Sequence, residues 1–168
     1  MLRFIKRLFF DEAFKQKKTF LRSLDLFKDL SSGEIGLLAQ SLHSRTYHAG
    51  EVLFVEGDIG RALFILEAGK VELARRDHET GKMKPIYAVE PGDFFGEMAL
   101  LEQLPRTATA TAVERSHLFL LYRSKLDNLL HHDPKVGVTM MTHLAQLLSA
   151  RLRRASALSA AASEAVHG

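Results

Sequence analysis

Between residues 47 and 122 the sequence is a series of short β-branched and aromatic runs that end at glycine-containing turns. The runs are YHAGEVLFVEGD, ALFILEAGKVELARR, MKPIYAVEPGD and HLFLLY, and the segment DHETGK is typical of a hairpin loop. Strands at such close intervals indicate an antiparallel barrel or sandwich rather than a parallel sheet with crossover helices.

Helical patterns flank this β region on both sides. Ser31 and Glu34 form an S-x-x-E capping box, which predicts a helix that begins there and ends before Tyr47. On the other side, Ser124 is a candidate cap, and Asp133-Pro134 suits the start of a long final helix. The sequence therefore predicts a mainly β fold with flanking helices: an antiparallel β-roll or jelly-roll barrel with N-terminal helices and C-terminal closing helices.

Composition limits the classes of protein to consider. The 168 residues favour one domain with appended helices, and 46% hydrophobic with 26% charged residues is typical of a globular protein. The chain has no cysteine, which excludes disulfides and thiolate catalysis. No signal-peptide core and no run of ~20 apolar residues is present, so we expect a cytoplasmic protein.

Residues 95–112, FGEMALLEQLPRTATATA, interrupt the β pattern with a turn, a short helix and a loop. Gly96 allows the backbone to approach a ligand, and the start of a short helix at Glu97 suits an anion. Arg106 adds a planar fork of donors that matches phosphate oxygens. The carboxylate of Glu97 fits beside phosphate only if the ligand also offers a hydroxyl, as a ribose 2′-OH next to a 3′,5′-cyclic phosphate does.

The motif GEMALL followed by PRTAT resembles the phosphate-binding cassette of cyclic-nucleotide-binding domains. These domains occur in Crp/Fnr-type regulators, in regulatory subunits of cyclic-nucleotide-dependent protein kinases and in cyclic-nucleotide-gated channels. The resemblance covers residues 26–145, with Gly50, Gly57 and Gly69 at the positions of the family's barrel turns. Unlike family members that do not bind nucleotide, this chain keeps both the glutamate and the arginine.

The resemblance implies a role for each cassette residue. Gly96 and Ala99 would donate backbone N–H groups, Glu97 would accept from the ribose 2′-OH, and Arg106 and Thr107 would bind the cyclic phosphate. Val71 and Val89 would line the base side of the barrel. The full set of candidate ligand-binding residues is Val71, Val89, Gly96, Glu97, Met98, Ala99, Arg106, Thr107 and Ala108.

The identity of the nucleotide depends on a weaker signal. In the family, a hydroxyl after the arginine can also meet the 2-amino group of a syn guanine, yet many cAMP-binding members carry threonine there. We therefore expect cAMP rather than cGMP. Thr109 and Thr111 alternate with alanines at the period of a strand, and we interpret them as packing residues.

Other chemistries find little support in the sequence. His131, His132 and Asp133 are the densest cluster of metal-ligating types, but adjacent helical residues point apart, so we expect no metal. No nucleophile elbow, H-E-x-x-H or P-loop accompanies the serines, histidines and aspartates, so we do not expect an enzyme. About 45 residues follow Arg123, fewer than two closing helices and a winged helix-turn-helix need, so we do not expect DNA binding.

The two ends of the chain carry amphipathic patterns. Within residues 1–10, apolar and basic positions separate onto two helical faces, which fits either peripheral membrane or partner contact, or packing on the protein's own core. The final helix has a wide apolar stripe in which Met140, Met141 and Leu144 are candidate lid residues over the base. The rest of that stripe could form a homodimer.

These observations divide the chain into three parts. Residues 1–25 are a basic amphipathic extension, residues 26–155 are the binding domain with closing helices at 124–155, and residues 156–168 are a flexible tail. The expected function is a stand-alone cyclic-nucleotide sensor that relays binding through its C-terminal helices to an unidentified protein partner. The alternative is a nucleotide-independent adaptor with the same fold, whose basic amphipathic ends are interaction surfaces.

Overall fold

The structure is a computed structural model that describes the backbone of residues 2–102 and 104–167 and the side chains of 11–98, 100–102 and 104–157. Its helices are α1 (Leu2–Ser23), a 3₁₀ helix (Asp25–Phe27), α2 (Ser32–Ser41), α3 (Met98–Leu101), α4 (Arg123–His132) and α5 (Pro134–His167). Among the described residues, none of the helices combines the length and apolar composition that crossing a bilayer requires.

The strands form two four-stranded sheets within the described part of the chain. They are β1 (His43–Tyr47), β2 (Val52–Phe54), β3 (Ala62–Ala68), β4 (Val71–Arg76), β5 (Met83–Val89), β6 (Phe94–Phe95), β7 (Thr109–Ala112) and β8 (Ser116–Tyr122). One sheet has the order β1-β8-β3-β6 and the other β2-β7-β4-β5, with every pairing antiparallel. The expected jelly-roll fold with flanking helices is confirmed, as two facing sheets with separate edges.

Strand β3 is buried on both of its faces. Because successive side chains of a strand point to opposite sides, Phe64 and Leu66 contribute to the core between the sheets. Leu63 and Ile65 contribute to a second core under the helices. The helical side of this second core comes from α1, the 3₁₀ helix, α2, α4 and α5, and includes Leu21, Phe27, Leu38, Leu126, Met140 and Leu144.

The alternation of threonine and alanine in β7 follows the same rule. Ala110 and Ala112 are buried between the sheets, while Thr109 and Thr111 are only partly buried. The Thr109 hydroxyl accepts a hydrogen bond from the Glu56 amide at 3.0 Å. The interpretation of the alternation as strand packing therefore agrees with the structure.

The capping box of α2 is confirmed. The Ser31 hydroxyl accepts from the Glu34 amide at 3.4 Å, and the Ser31 amide donates to a Glu34 carboxylate oxygen at 2.7 Å. The hydrogen bonds from Ser31, with a further one from Lys135 at the start of α5, lower the pKa of Glu34 to about 2. Glu34 therefore both caps the start of α2 and connects α2 to α5 through Lys135.

Several predicted boundaries differ from the structure. The β region begins at His43 rather than Tyr47, because β1 pairs along its whole length with β8. Ser124 is not the cap of α4, which begins at Arg123 with Tyr122 at the N-cap position and no side-chain cap. Pro134 does begin α5, as predicted.

The ends of the chain differ from expectation in part. The predicted tail at 156–168 contains the end of α5, whose backbone continues to His167, as an alanine-rich segment of high helix propensity can. The flexibility of this segment stays a prediction. The predicted face at residues 1–10 lies outside the described side chains. Further along α1, Leu21 is buried in the helical core and Phe14 and Phe20 pack against it, so that core begins before residue 26.

The turn between β3 and β4 depends on Gly69. Its φ of +94° lies in the left-handed region, which side-chain-bearing residues rarely adopt. A Cβ at this position would lie 2.5 Å from the Arg115 carbonyl oxygen and from the Ser116 hydroxyl. That hydroxyl bonds both backbone groups of Lys70 at 3.0 Å, so the turn is closed from two sides.

Candidate functional site

A cavity of about 1000 Å³ lies where the segment from β6 to β7 meets β5 and α5. The segment from Gly96 to Ala108, here called the cassette, contributes the polar side chains of Glu97, Arg106 and Thr107 to its wall. The structure brings together at this cavity the predicted residues Gly96, Glu97, Met98, Arg106, Thr107 and Ala108. The side chain of Ala99 lies outside the described residues.

Gly96 connects β6 to α3 and has a φ of +71°. A Cβ on this residue would lie 2.5 Å from Nη1 of Arg106 and 3.3 Å from the Ala62 carbonyl oxygen. Glycine is therefore required here for two reasons, the left-handed backbone and the close approach of a guanidinium.

Arg106 holds its guanidinium at the base of the cassette. Nη1 donates to the Gly96 carbonyl oxygen at 3.0 Å, and Nη2 donates to the Ala62 carbonyl oxygen at 2.9 Å. The guanidinium carbon lies 4.2 Å from the centre of the Phe54 ring, a cation–π contact. Burial lowers the pKa of Arg106, and the charges of Glu97 and Asp58 oppose that shift. Since arginine stays protonated in proteins, the group is a fixed, partly buried positive charge.

The backbone around Arg106 is fixed by the turn that follows β2. The Arg106 amide donates to the Asp58 carbonyl oxygen at 2.7 Å, and the Gly57 amide donates to the Arg106 carbonyl oxygen at 2.9 Å. An isolated bridge joins Ile59 to Pro105. The glycine turn that the sequence pattern singled out thus positions the arginine of the cassette.

Glu97 stands at the N-cap position of α3 without a side-chain capping bond. Its side chain is 17% exposed, and Oε1 lies 4.0 Å from Nη1 of Arg151. The carboxylate therefore lies beside the Arg151 guanidinium on the cavity wall, and its negative charge also favours the protonated form of Arg106. A carboxylate in this position can accept a hydrogen bond from a ligand hydroxyl.

Arg151 is the contribution of α5 that sequence reasoning missed. Its Nη2 donates to the Phe94 carbonyl oxygen at 3.0 Å, and its guanidinium carbon lies 4.1 Å from the centre of the Phe94 ring. In the sequence, Arg151 belongs to the basic run RLRR, which looks solvent-facing. Its spacing of four from Leu147, which also lines the cavity, is the signal that places it on the inner side of the helix.

The three candidate lid residues do not line the cavity in the structure. Met140 and Leu144 are each 1% exposed within the helical core, and Met141 packs against that core. The cavity wall from α5 consists of Leu147, Ala150, Arg151, Arg154 and Ala155. The apolar stripe of α5 therefore packs against the helical core near Met140. About ten residues later, roughly 15 Å further along the helix, it lines the cavity.

Val71 and Val89 do not reach the cavity wall either. They pair with each other across β4 and β5 and are both 0% exposed. Leu73 and Tyr87, the pair two positions along the strands, line the cavity instead, together with Ile86. The family resemblance placed Val71 and Val89 on the base side of the cavity, but the structure places Leu73 and Tyr87 there, one step further along the same face of the two strands.

Tyr87 is a second residue that sequence reasoning missed. Its hydroxyl donates to Oδ2 of Asp93 at 3.0 Å, and the same carboxylate oxygen accepts from the Glu90 amide at 3.2 Å. Burial, and then this hydrogen bond, raise the pKa of Tyr87. A polar aromatic side chain is thereby fixed at the edge of the cavity, and its position before the PGD turn was the available signal.

Thr107 lies on the exposed rim of the cavity, and its carbonyl oxygen accepts from Nε of Arg75 at 2.9 Å. Among the residues whose side chains are described, no group of three or more histidine, aspartate or glutamate residues is placed to hold a metal ion. The polar side chains on the cavity wall are those of arginines, aspartates and Glu97, together with the hydroxyl groups of Ser23, Tyr87 and Thr107.

Comparison with known proteins relates this chain to one family of domains. Residues 44–133 match the family model described as the cyclic nucleotide-binding domain. The cyclic AMP receptor protein of Thermus thermophilus is 36% identical over 135 residues, which are 80% of this chain and 60% of that protein. A cAMP-dependent protein kinase regulatory subunit of Eremothecium gossypii is 35% identical over 127 residues, which are 76% of this chain and 25% of the subunit.

Solved structures agree with the sequence comparison. A cyclic nucleotide-binding domain from Methylobacillus flagellatus matches with a TM-score of 0.75 and 29% identity, covering 86% of this chain and 80% of that one. The family model covers more than half of the sequence, and the cassette residues Gly96, Glu97 and Arg106 of this chain all line the cavity. The chain therefore belongs to the cyclic nucleotide-binding domain family.

Proposed function

We propose that the cavity binds a 3′,5′-cyclic nucleotide, cAMP in preference to cGMP, and that α5 relays its presence to a protein partner. The observation that carries the proposal is the placement of Arg106 and Glu97 on one wall of the cavity. The guanidinium would bind the cyclic phosphate, and the carboxylate would accept from the ribose 2′-OH. In such a ligand the cyclic phosphate and the 2′-hydroxyl are neighbours, and on the protein Arg106 and Glu97 line the same cavity.

The preference for cAMP rests on support of a different kind. Two relatives that align over three quarters or more of this chain have names that include cyclic AMP or cAMP. The wall that would face the base is largely apolar, with Leu73, Ile86 and Leu147 on it. Apolar contact suits either purine, so the affinities for cAMP and cGMP are compared by titration.

Calorimetric titration of the purified protein with cAMP and with cGMP tests this proposal. We expect a one-site isotherm for cAMP and weaker binding of cGMP. If neither nucleotide binds, the assignment is refuted and the nucleotide-independent adaptor is favoured. If cGMP binds more tightly than cAMP, only the proposed preference for cAMP is wrong.

Glu97→Gln is expected to remove most of the discrimination between cAMP and 2′-deoxy-cAMP. In the wild-type protein, loss of the hydroxyl should weaken binding by about 1.5–3 kcal/mol, the usual contribution of a hydrogen bond to a charged group. The variant is nearly isosteric with the wild-type residue, but its amide is a weaker acceptor. The measurement is titration of both ligands into both proteins, and equal affinity of the wild type for the two ligands would contradict the role of Glu97.

The relay is proposed to run through Arg151. This residue bonds the Phe94 backbone, stacks on the Phe94 ring and lies beside Glu97. A ligand hydroxyl that binds Glu97 would therefore change the environment of a side chain carried by α5. A ligand can shift the position of α5 only by its differential affinity for two arrangements of the helix, and Arg151 is the contact that would distinguish them.

Arg151→Ala is expected to separate binding from relay. In wild type, cAMP should slow amide hydrogen exchange both in the cassette and in residues 144–155 of α5. In the variant the cassette should still be protected while the response of α5 is reduced, since typical coupling energies are ~1–3 kcal/mol. The matched control is Arg153→Ala, because Arg153 bonds Ser149 of its own helix. An unchanged α5 response in Arg151→Ala would contradict this route.

The surface of α5 offers one place for a partner. Val138 is 57% exposed and Leu152 is 68% exposed, and among the described side chains of α5 these two are the large apolar residues in the exposed class. Exposed apolar residues on one long helix suit either a second copy of this chain or another protein with an apolar groove. We propose this face of α5 as the output surface, and light scattering with and without cAMP would distinguish a homodimer from a monomer.

A further inference from the structure

His143 is a buried histidine of α5 outside the cassette. The residue is 6% exposed. Its Nδ1 lies 3.1 Å from the Leu26 carbonyl oxygen, and its Nε2 lies 2.8 Å from Oδ2 of Asp29. Both contacts cross from α5 to the 3₁₀ helix and the residues that follow it, more than one hundred positions earlier in the chain.

The partners of the two ring nitrogens favour a ring that is protonated on both. A carbonyl oxygen only accepts hydrogen bonds, and an ionised carboxylate likewise only accepts. The Asp29 side chain is 64% exposed, so water stabilises its ionised form. A neutral imidazole carries one N–H and can satisfy one of these partners, whereas an imidazolium carries two and satisfies both.

The same two contacts join two elements that both contribute to the cavity wall. Leu26, whose carbonyl accepts the bond, lines the cavity together with Asp25. Leu147, one helical turn after His143, lines it from α5. His143 itself does not line the cavity, so any effect on a ligand must act through these neighbours.

Resting on the proposed function, we infer that protonated His143 is a positioning residue that holds the 3₁₀ helix against α5, so that cyclic-nucleotide affinity falls as pH rises. An imidazole changes its charge between about pH 5 and pH 8 in ordinary surroundings. The doubly protonated ring keeps both contacts at the lower end of this range. Deprotonation removes one donor and leaves either a buried carbonyl or a carboxylate without its partner.

Other titratable groups lie on the elements that pack against α5. On and after the 3₁₀ helix they are Asp25, Lys28 and Asp29, and on and after α4 they are Arg123, Lys125, Asp127, His131, His132 and Asp133. Within the described part of the chain, Asp29 is the group among these that bonds the His143 ring. A pH effect that involves His143 should therefore disappear when either partner of this pair is neutralised.

The first test reads the ring directly and needs no ligand. Nitrogen-15 NMR of the full chain distinguishes an imidazolium, with both ring nitrogens protonated, from either neutral tautomer. We expect the imidazolium signal of His143 near neutral pH and its loss at higher pH, accompanied by faster amide exchange in residues 24–30. A neutral ring throughout the range between about pH 6 and pH 8 would overturn the inference.

The second test measures cAMP affinity between about pH 6 and pH 8.5 in wild type, His143→Gln and Asp29→Asn. We expect wild-type affinity to fall about fivefold or more across this range, the lower limit of ordinary coupling, and the two variants to show a flatter profile. His131→Gln is the matched control, because His131 lies exposed at the end of α4. It should keep the wild-type profile.

The two tests separate this inference from the proposed function. Parallel pH profiles in wild type and His143→Gln would overturn the positioning role while leaving nucleotide binding intact. If no cyclic nucleotide binds at all, the proposed function fails, and the ring signal with amide exchange of residues 24–30 decides whether protonated His143 holds the two elements together.

Discussion

Arg106→Ala is expected to weaken cAMP binding by about 2–5 kcal/mol, the usual loss when one partner of a desolvated, hydrogen-bonded charge pair is removed. The guanidinium is half-buried and already oriented by the carbonyl oxygens of Gly96 and Ala62. The phosphate would therefore bind a preorganised charge, and alanine leaves no donor in its place. Titration calorimetry of the variant measures the change.

The controls separate loss of a ligand contact from loss of the fold. Arg76→Ala removes the same charge from the exposed surface of β4, where the side chain bonds Gly81, and should leave affinity unchanged. Arg106→Lys keeps the charge but not the planar fork, so we expect an intermediate affinity. If Arg106→Ala unfolds at the wild-type denaturant concentration and still binds cAMP with wild-type affinity, the phosphate assignment is wrong.

Gly69→Ala is expected to lower the free energy of unfolding by about 3 kcal/mol or more, the sum of a left-handed backbone and an overpacked site. The new Cβ would meet the Arg115 carbonyl oxygen at 2.5 Å and the Ser116 Cα at 2.6 Å. These are main-chain atoms of the neighbouring turn, so the strain cannot be relieved by rotating a side chain. Urea denaturation followed by circular dichroism measures the loss.

The matched control is Gly50→Ala. Gly50 has a φ of +83°, but no atom lies within 4 Å of its ideal Cβ position. This variant should therefore lose only the backbone contribution, about 1–2 kcal/mol. If both variants lose the same free energy of unfolding, the turn at Gly69 relaxes around the new Cβ. The close approach then does not contribute to the loss of stability.

Local chemistry explains why the sequence predicted much of the fold. Turn glycines, the capping box of Ser31 and Glu34 and the alternation of β7 each depend on neighbours within a few residues, so a short pattern is sufficient. The cassette belongs to the same class, because Gly96, Glu97 and Arg106 lie within eleven positions of one another. Their convergence on one wall follows from the turn after β2, whose glycine was also visible in the sequence.

Position along an element was not predictable in the same way. Periodicity identified the inward face of α5, but not that Met140 would reach the bundle and Arg151 the cavity. The family resemblance placed Val71 and Val89 at the cavity, but both are buried deeper than Leu73 and Tyr87, which line it. The bonds of His143 join residues more than one hundred positions apart. Such placements depend on how whole elements stack, which one sequence does not encode in any short pattern.

The double burial of β3 determines which part of the chain can fold as a unit. Leu63 and Ile65 on the outer face of β3, with Phe119 and Leu121 on β8, are at most 2% exposed because helices cover them. A fragment limited to residues 44–133, the segment that matches the family model, would expose this apolar strip on a β surface and should aggregate. Domain grafts and biosensor fusions built from this protein should therefore carry α1, α2 and α5 with the sandwich, because the smallest portable module is larger than the segment that matches the family model.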